Sequence, residues 1–222
     1  MNNLISAIIP VKNGSNYLRE AIESLLRQEV SLEIIVVDDG SSDDTAAIAS
    51  GYGCKVISHP ESKGQVAAKN TGLKAASGDY VIFMDHDDVM RDGALRALYD
   101  ALEAEPAYSA AQAMVKDFLS PEIEPAPGKR IRPNPYYGLF TGAILIRRKV
   151  FDTIGFFSES IHTGEIIEWS SRMAAEGFEI KRLDMVSTDR RIHQTNFGKT
   201  DGKVELMNYA QVLRERLKMM GR

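Results

Sequence analysis

The sequence is short of cysteine, of charge imbalance and of long apolar runs, and each shortage excludes something. Its single cysteine, Cys54, has no partner for an internal disulfide, which fits a reducing compartment and argues against a disulfide-stapled secreted scaffold. Lysine plus arginine number 27 and aspartate plus glutamate 31, a net charge of −4, so no basic excess supports sequence-independent binding to nucleic acid. No basic segment followed by an apolar one opens the chain, and no run of 18 apolar residues occurs. A leader and a membrane span are therefore not expected, and a cytoplasmic protein is. Neither Gly-x-Gly-x-x-Gly nor Gly-x-x-x-x-Gly-Lys-Ser/Thr follows any apolar run, which disfavours dinucleotide and P-loop modes. What remains is an ordinary globular composition, 44% hydrophobic and 26% charged over 222 residues, enough to bury a core without staples.

The first hundred residues alternate buried strands with helices. Strands are expected at Ser6–Val11, Glu33–Asp38, Lys55–Ser58 and Tyr80–Met84, and helices at Tyr17–Arg27, around Ala46–Ala49, at Gln65–Ala76 and at Gly93–Glu105. Continuous apolar runs such as Ile34-Ile-Val-Val37 belong in strands covered on both faces, so the alternation predicts an α/β fold with a mostly parallel sheet. After Pro106 the pattern changes. Five of the eight prolines crowd into residues 120–138, the mark of a long surface loop. Order resumes at Leu139–Ile146, with short helix near Val150, a helix from about Glu165 to Glu176, a strand around Glu179–Val186 and an amphipathic helix from Lys203 to Met220. The division is 1–105, 106–202 and 203–222. Met219 and Met220 with Leu213 and Leu217 form a stripe read as packing, with peripheral membrane or homodimer contact left open.

Ligands in open α/β sheets bind beyond the carboxyl ends of the strands. The first strand ends in Pro10-Val-Lys-Asn-Gly14, the second in Asp38-Asp-Gly-Ser-Ser42 and the fourth in Asp85-His-Asp-Asp88. Five carboxylates, Asp38, Asp39, Asp85, Asp87 and Asp88, thus gather on one rim, where they repel unless a cation joins them. Mg²⁺ or Mn²⁺ is the natural partner of such oxygens and completes its shell with substrate phosphates. Lys69, Arg190 and Arg191 are the cations available to a phosphate, while Asp43 and Asp44 read as helix caps and His86 as a spacer.

Ala7-Ile-Ile-Pro-Val-Lys-Asn13, Glu33-Ile-Ile-Val-Val-Asp-Asp-Gly-Ser-Ser42 with Thr45, Ala68-Lys-Asn-Thr-Gly72 and Gly78-Asp-Tyr-Val-Ile-Phe-Met-Asp-His-Asp-Asp88 resemble family 2 glycosyltransferases with the GT-A fold. The resemblance spans residues 4 to 180. It implies a Rossmann-like nucleotide-binding half merged with a smaller acceptor-binding half, and a hexosyl- or hexosaminyl-transferase that works with inversion and a divalent metal. A role in polysaccharide biosynthesis is implied too. By the same resemblance Pro10 and Asn13 line the nucleobase pocket, and Asp39 bonds the base with Asp38 beside it. Asp85 faces the ribose, Asp87 ligates the metal, Asp88 supports it, and Lys69 lies near the donor.

Phe140-Thr-Gly-Ala-Ile-Leu-Ile-Arg147 and Val150–Phe157 resemble the segment beneath the acceptor site, and Gly164-Glu-Ile-Ile-Glu-Trp169 with Arg172 resembles the segment that supplies the base. There the usual aspartate position is Ile166, which leaves Glu165 as the base, with Glu168 the alternative. Related enzymes draw a metal ligand or a diphosphate contact from a late segment, here His193 in Arg190-Arg-Ile-His193, and Trp169 is either acceptor wall or core. Asp39 suits a uracil imide N–H, so a UDP-sugar is the expected donor, though guanine can donate similarly. The acceptor stays open among carbohydrate, lipid-linked sugar and protein. Two other readings stand beside this one: a haloacid-dehalogenase-like phosphatase, from the apolar strand ending in Asp-x-Asp, and a catalytically silent GT-A module that binds nucleotide or a partner, from Ile166.

Overall fold

The first strand, β1 (Ile5–Val11), is buried along its whole length because its neighbours cover both of its faces. The computed structural model describes residues 3–122, 131–138, 140–161 and 164–193. The helix expected at 203–220 and residues 123–130 of the proline-rich loop lie outside them. In chain order the remaining elements are α1 (Leu18–Leu26), β2 (Leu32–Asp38), α2 (Thr45–Gly51), β3 (Lys55–Ser58), α3 (Gln65–Ala75), β4 (Tyr80–Phe83), β5 (Val89–Met90) and α4 (Ala94–Ala104). Then come β6 (Ala110–Leu119), a 3₁₀ turn (Thr141–Ala143), β7 (Ile144–Arg147), α5 (Arg148–Ile154), α6 (Glu165–Ala175) and β8 (Ile180–Ile192).

Among the described residues eight strands form one sheet in the order β3-β2-β1-β4-β7-β6-β8-β5. β3, β2, β1 and β4 are parallel, β7 runs antiparallel to both β4 and β6, and β8 returns parallel to β6. The period-two alternation of side chains sorts the apolar residues between two cores. Ile5, Ala7, Ile9, Ile34, Val36, Tyr80 and Ile82 face α1, α2 and α4. Ile8, Ile35, Val37, Val81 and Phe83 face α3, α5 and α6. Gly72 of α3 is required by close approach, since a methyl group there would collide with Ile8.

Most expected elements form within two residues of their predicted bounds, and apart from the added β5 the differences lie in the later half. β8 runs to Ile192, six residues beyond the predicted end, so Arg190 and Arg191 belong to a strand and not to the segment after it. β5 is two residues long, too short to show a periodicity. Among the described residues no helix is long and apolar enough to cross a membrane.

Candidate active site

Three loops at the carboxyl ends of β1, β2 and β4 build the rim. Asn13 sits at φ 52°, a left-handed conformation that asparagine tolerates better than most residues. Its Oδ1 accepts from Ser42 N at 2.9 Å, and its own N–H donates to Ser41 Oγ at 2.8 Å. Ser41 N in turn donates to Asp38 Oδ1 at 2.9 Å, and Gly14 N to Thr45 Oγ1 at 2.9 Å. The loops after β1 and β2 are therefore laced together. Pro10 lies buried inside β1, paired with Val37.

Asp39 is 4% exposed and accepts four hydrogen bonds. His59 Nδ1 at 2.7 Å and Lys63 N at 2.8 Å meet one oxygen, and Ser62 Oγ at 2.7 Å and Gly64 N at 2.9 Å meet the other. Burial pushes this carboxyl up, yet these donors outweigh it and hold it below its ordinary value. A carboxylate has about four lone-pair sites, and here the turn at 59–64 uses them all.

The acids after β4 share one site, in which Asp88 is buried and Asp85 and Asp87 are half-buried. Asp85 accepts from Gln65 Nε2 at 3.2 Å. Burial raises its proton affinity, the Lys69 ammonium opposes this, and the Asp87 charge adds to it, for a net rise. Asp88 is raised well above the carboxylate range, first by burial and then by Asp87 and Asp85. Asp87 goes the other way. Burial would raise it, but a hydrogen bond with His193 and the charges of His86 and His193 hold it down. His193 Nε2 lies 2.7 Å from Asp87 Oδ2, and the imidazole, 6% exposed, packs 4.9 Å from the Tyr17 ring.

This donor set fits a divalent cation held by few protein ligands. Asp87 and His193 offer a carboxylate oxygen and an imidazole nitrogen side by side, and a cation would offset the repulsion that raises Asp85 and Asp88. It does not fit an all-protein cage: among the described residues no three acid, histidine or cysteine side chains converge to hold a metal.

Arg190 and Arg191 are neighbours on a strand and point to opposite faces, so they do not form one diphosphate clamp. The Arg191 guanidinium is buried behind the acids, donating from Nε to Asp87 O at 2.9 Å and from Nη2 to Glu20, while its backbone N–H reaches Asp88 Oδ1 at 2.9 Å. Its plane lies between the Tyr17 and Phe118 rings at 4.8 and 4.6 Å. It braces the acid cluster. Arg190 lies over the Phe140 ring at 4.7 Å, with Nη1 3.7 Å from Asp117 Oδ1.

At the first residue of α6, Glu165 Oε1 meets Lys69 Nζ at 2.6 Å, and the two side chains are 9% and 4% exposed. Lys69, expected beside the donor, is thus buried on a carboxylate. Glu168 pairs with Arg172 at 2.6 Å, and Arg172 also caps the carbonyls of Ile154 and Phe156. Trp169 is core and not acceptor wall: it is 1% exposed, stacks on Phe151 at 4.5 Å and donates from Nε1 to Gly155 O at 3.0 Å. Sequence reasoning missed Tyr17, Glu20, His59, Gln65 and Asn70, whose roles arise from contacts made across the fold.

Residues 6–161 match the model described as glycosyl transferase family 2. An uncharacterized glycosyltransferase of Rickettsia prowazekii (strain Madrid E) is 50% identical over 88 residues, which cover 39% of this chain and 28% of that protein. Glycosyltransferase GlyA of Streptococcus pneumoniae serotype 4 is 31% identical over 204 residues, covering 83% and 26%. The chain therefore spans only 28% and 26% of those relatives' own length. S. aureus TarS 1–349 superposes with a TM-score of 0.73 at 20% identity, over 96% of this chain and 64% of that one. The mannosyltransferase PcManGT of Pyrobaculum calidifontis, in complex with GDP-Man and Mn²⁺, does so at 0.72 and 17%, over 98% and 64%. Such low identity carries the architecture alone, and that architecture is the GT-A arrangement of a mostly parallel sheet. With the family model matching well over half of its residues, the chain belongs to glycosyl transferase family 2.

Proposed function

We propose that this chain transfers a hexosyl or hexosaminyl unit from a nucleoside-diphosphate sugar to a hydroxyl acceptor, with inversion. The observation that carries the reading is the largely buried cluster of Asp85, Asp87 and Asp88 with His193 at the carboxyl end of β4, with the charges of Lys69 and Glu165 acting on Asp85. The donor half is 1–105 and the acceptor half 106–202. The loops around Pro10, Asn13, Asp38 and Asp39 receive the nucleobase, with Asp39 organising the turn at 59–64 and Asp38 beside it accepting from Ser41 N through Oδ1. Asp85 faces the ribose. Asp87 and His193 would hold Mn²⁺ or Mg²⁺, and the cation's chemistry is to offset charge on the departing diphosphate.

Glu165 takes the acceptor hydroxyl proton as the acceptor oxygen bonds to the anomeric carbon and the bond from that carbon to the phosphate oxygen breaks. Both glutamates are ion-paired, and what favours Glu165 is its place by the acid rim, where its charge acts on Asp85. Asp39, expected to bond the base, is taken up by its own turn. Uracil is the base we assign because Asp38 beside it is the acid left to accept an imide N–H. TarS has been solved with UDP and with UDP-GlcNAc, and PcManGT with GDP-Man, so uracil and guanine donors are both to be tried. A second reading, a module that binds nucleotide without transferring sugar, draws on Ile166, an apolar residue 8% exposed beside Glu165.

The test is calorimetry and a donor-hydrolysis assay with UDP- and GDP-sugars, with and without Mn²⁺. Metal-dependent UDP binding that Asp87→Ala abolishes, together with turnover, is the expected result. Binding without turnover toward any acceptor supports the second reading. No binding of any nucleoside diphosphate overturns both.

A further inference from the structure

Within Gln65-Val-Ala-Ala-Lys-Asn-Thr-Gly-Leu73, apolar Val66 and Leu73 fix the buried side of α3. Lys69 and Asn70 lie on that buried side as well, at 3% exposure each. An ammonium in such a place is costly unless it is paired, so its partner defines its role. The partner is Glu165, 96 residues away in the chain, at 2.6 Å. Asn70 makes the same crossing: its Nδ2 donates to Phe157 O at 2.9 Å and Glu159 Oε1 at 3.0 Å, and its Oδ1 accepts from Phe157 N at 3.1 Å. Two consecutive residues of a donor-half helix thus hold the segment that leads into α6 and the first residue of α6 itself. Lys69 also acts electrostatically on Asp85, where its charge opposes burial.

We infer that Lys69 is a positioning residue that sets the Glu165 carboxylate at the acid rim and is not a ligand of the donor diphosphate. The inference rests on the transferase reading above for its kinetic part only. Glu165 stands at the start of α6 after Gly164, whose φ of 81° turns the chain sharply into the helix. No other cation is paired with its carboxylate among the described residues. Lys69 supplies that hold, and Asn70 fixes the approach. A diphosphate ligand would need its ammonium open to the rim, whereas this side chain is 4% exposed beneath Glu165.

The test uses the full chain with Lys69→Met, Lys69→Arg, Glu165→Gln and the double variant Lys69→Met/Glu165→Gln. Lys69→Met should leave the Mn²⁺-dependent affinity for UDP within about threefold of wild type while slowing transfer by about a hundredfold or more, the scale of general-base help. Lys69→Arg should restore transfer to within about tenfold of wild type, and the double variant should be no slower than the worse single, as for residues acting as a unit. UDP affinity lost by tenfold or more in Lys69→Met, or transfer as slow in Lys69→Arg as in Lys69→Met, would overturn the inference. Should wild type transfer no sugar, the transferase reading fails by itself, and the pairing is then read from unfolding equilibria. Single and double variants that depart from additivity by about tenfold uphold the hold on Glu165, and additive effects refute it.

Discussion

Asp39→Asn replaces one acceptor oxygen of a carboxylate that four donors share, with an NH₂ group. If the amide nitrogen takes the place facing Ser62 and Gly64, the Ser62 hydroxyl can rotate to accept, but the Gly64 N–H cannot. If it faces His59 and Lys63, the imidazole can accept as its other tautomer, with Nε2–H then donating to Thr71 Oγ1 at 3.0 Å, but the Lys63 N–H cannot turn. Either way one backbone donor is orphaned and the remaining bonds lose their ionic assistance. The cost is about 2 kcal/mol, within the usual range for an unsatisfied buried group. For a domain of this size that corresponds to a melting temperature lower by about 4–8 °C. Because the folded carboxyl is held below its ordinary value of 3.8, its contribution is present above that pH and is lost as pH falls through the depressed value. The gap between wild type and variant in urea unfolding should therefore be full at pH 7 and shrink below pH 3.8. A variant that unfolds with the wild-type midpoint at pH 7 refutes the four-donor account.

Trp169→Ala should cost about 3–5 kcal/mol in urea unfolding, the range for deleting a large buried aromatic, while leaving the UDP affinity of the folded protein unchanged. Asp43, held down to about 2 by hydrogen bonds from Thr45 and Ser15 that outweigh its burial, should contribute stability above pH 3.8 that is lost as pH falls toward 2. Acid unfolding of Asp43→Ala should be flatter over that interval. Glu165→Gln should slow transfer by about 10²–10⁴-fold with donor affinity retained, and Glu168→Gln should slow it far less; a larger loss in Glu168→Gln reverses their roles. Gly72→Ala should destabilise by about 1–3 kcal/mol through overpacking against Ile8, measured by thermal unfolding.

The donor half is legible in the sequence because its signals are local. Lys55–Ser58 and Gln65–Ala75 announce themselves by composition, and the acids stand where apolar runs stop. The later half is less so. Ser187-Thr-Asp-Arg-Arg-Ile192 has no apolar alternation to suggest a strand. It becomes one because β6 and β5 flank it and because Glu20, Asp88 and the Asp87 carbonyl take up Arg191. Likewise, nothing in Ala68-Lys-Asn-Thr-Gly72 tells a solvated or phosphate-binding lysine from one buried on Glu165. That distinction exists only once α3 and α6 share a face of the sheet.

The pairing of β6 with β8 also works as a length gauge. Gln112 is opposite Arg182, Met114 opposite Val186 and Val115 opposite Thr188, so β8 carries three more residues than β6 across two irregularities. Three is odd, and each odd step exchanges the two faces of a strand. That surplus decides that Arg191, and not Arg190, turns toward Asp87 and Asp88. Loss of one residue from 183–187 would exchange the two arginines and turn His193 away from Asp87. Loss of two would restore the faces but draw the strand end back by about 6.6 Å, well beyond the reach of the 2.7 Å contact between His193 and Asp87. Chains that keep this site should therefore vary in length between β7 and β8, at the surface, before they vary within 183–187.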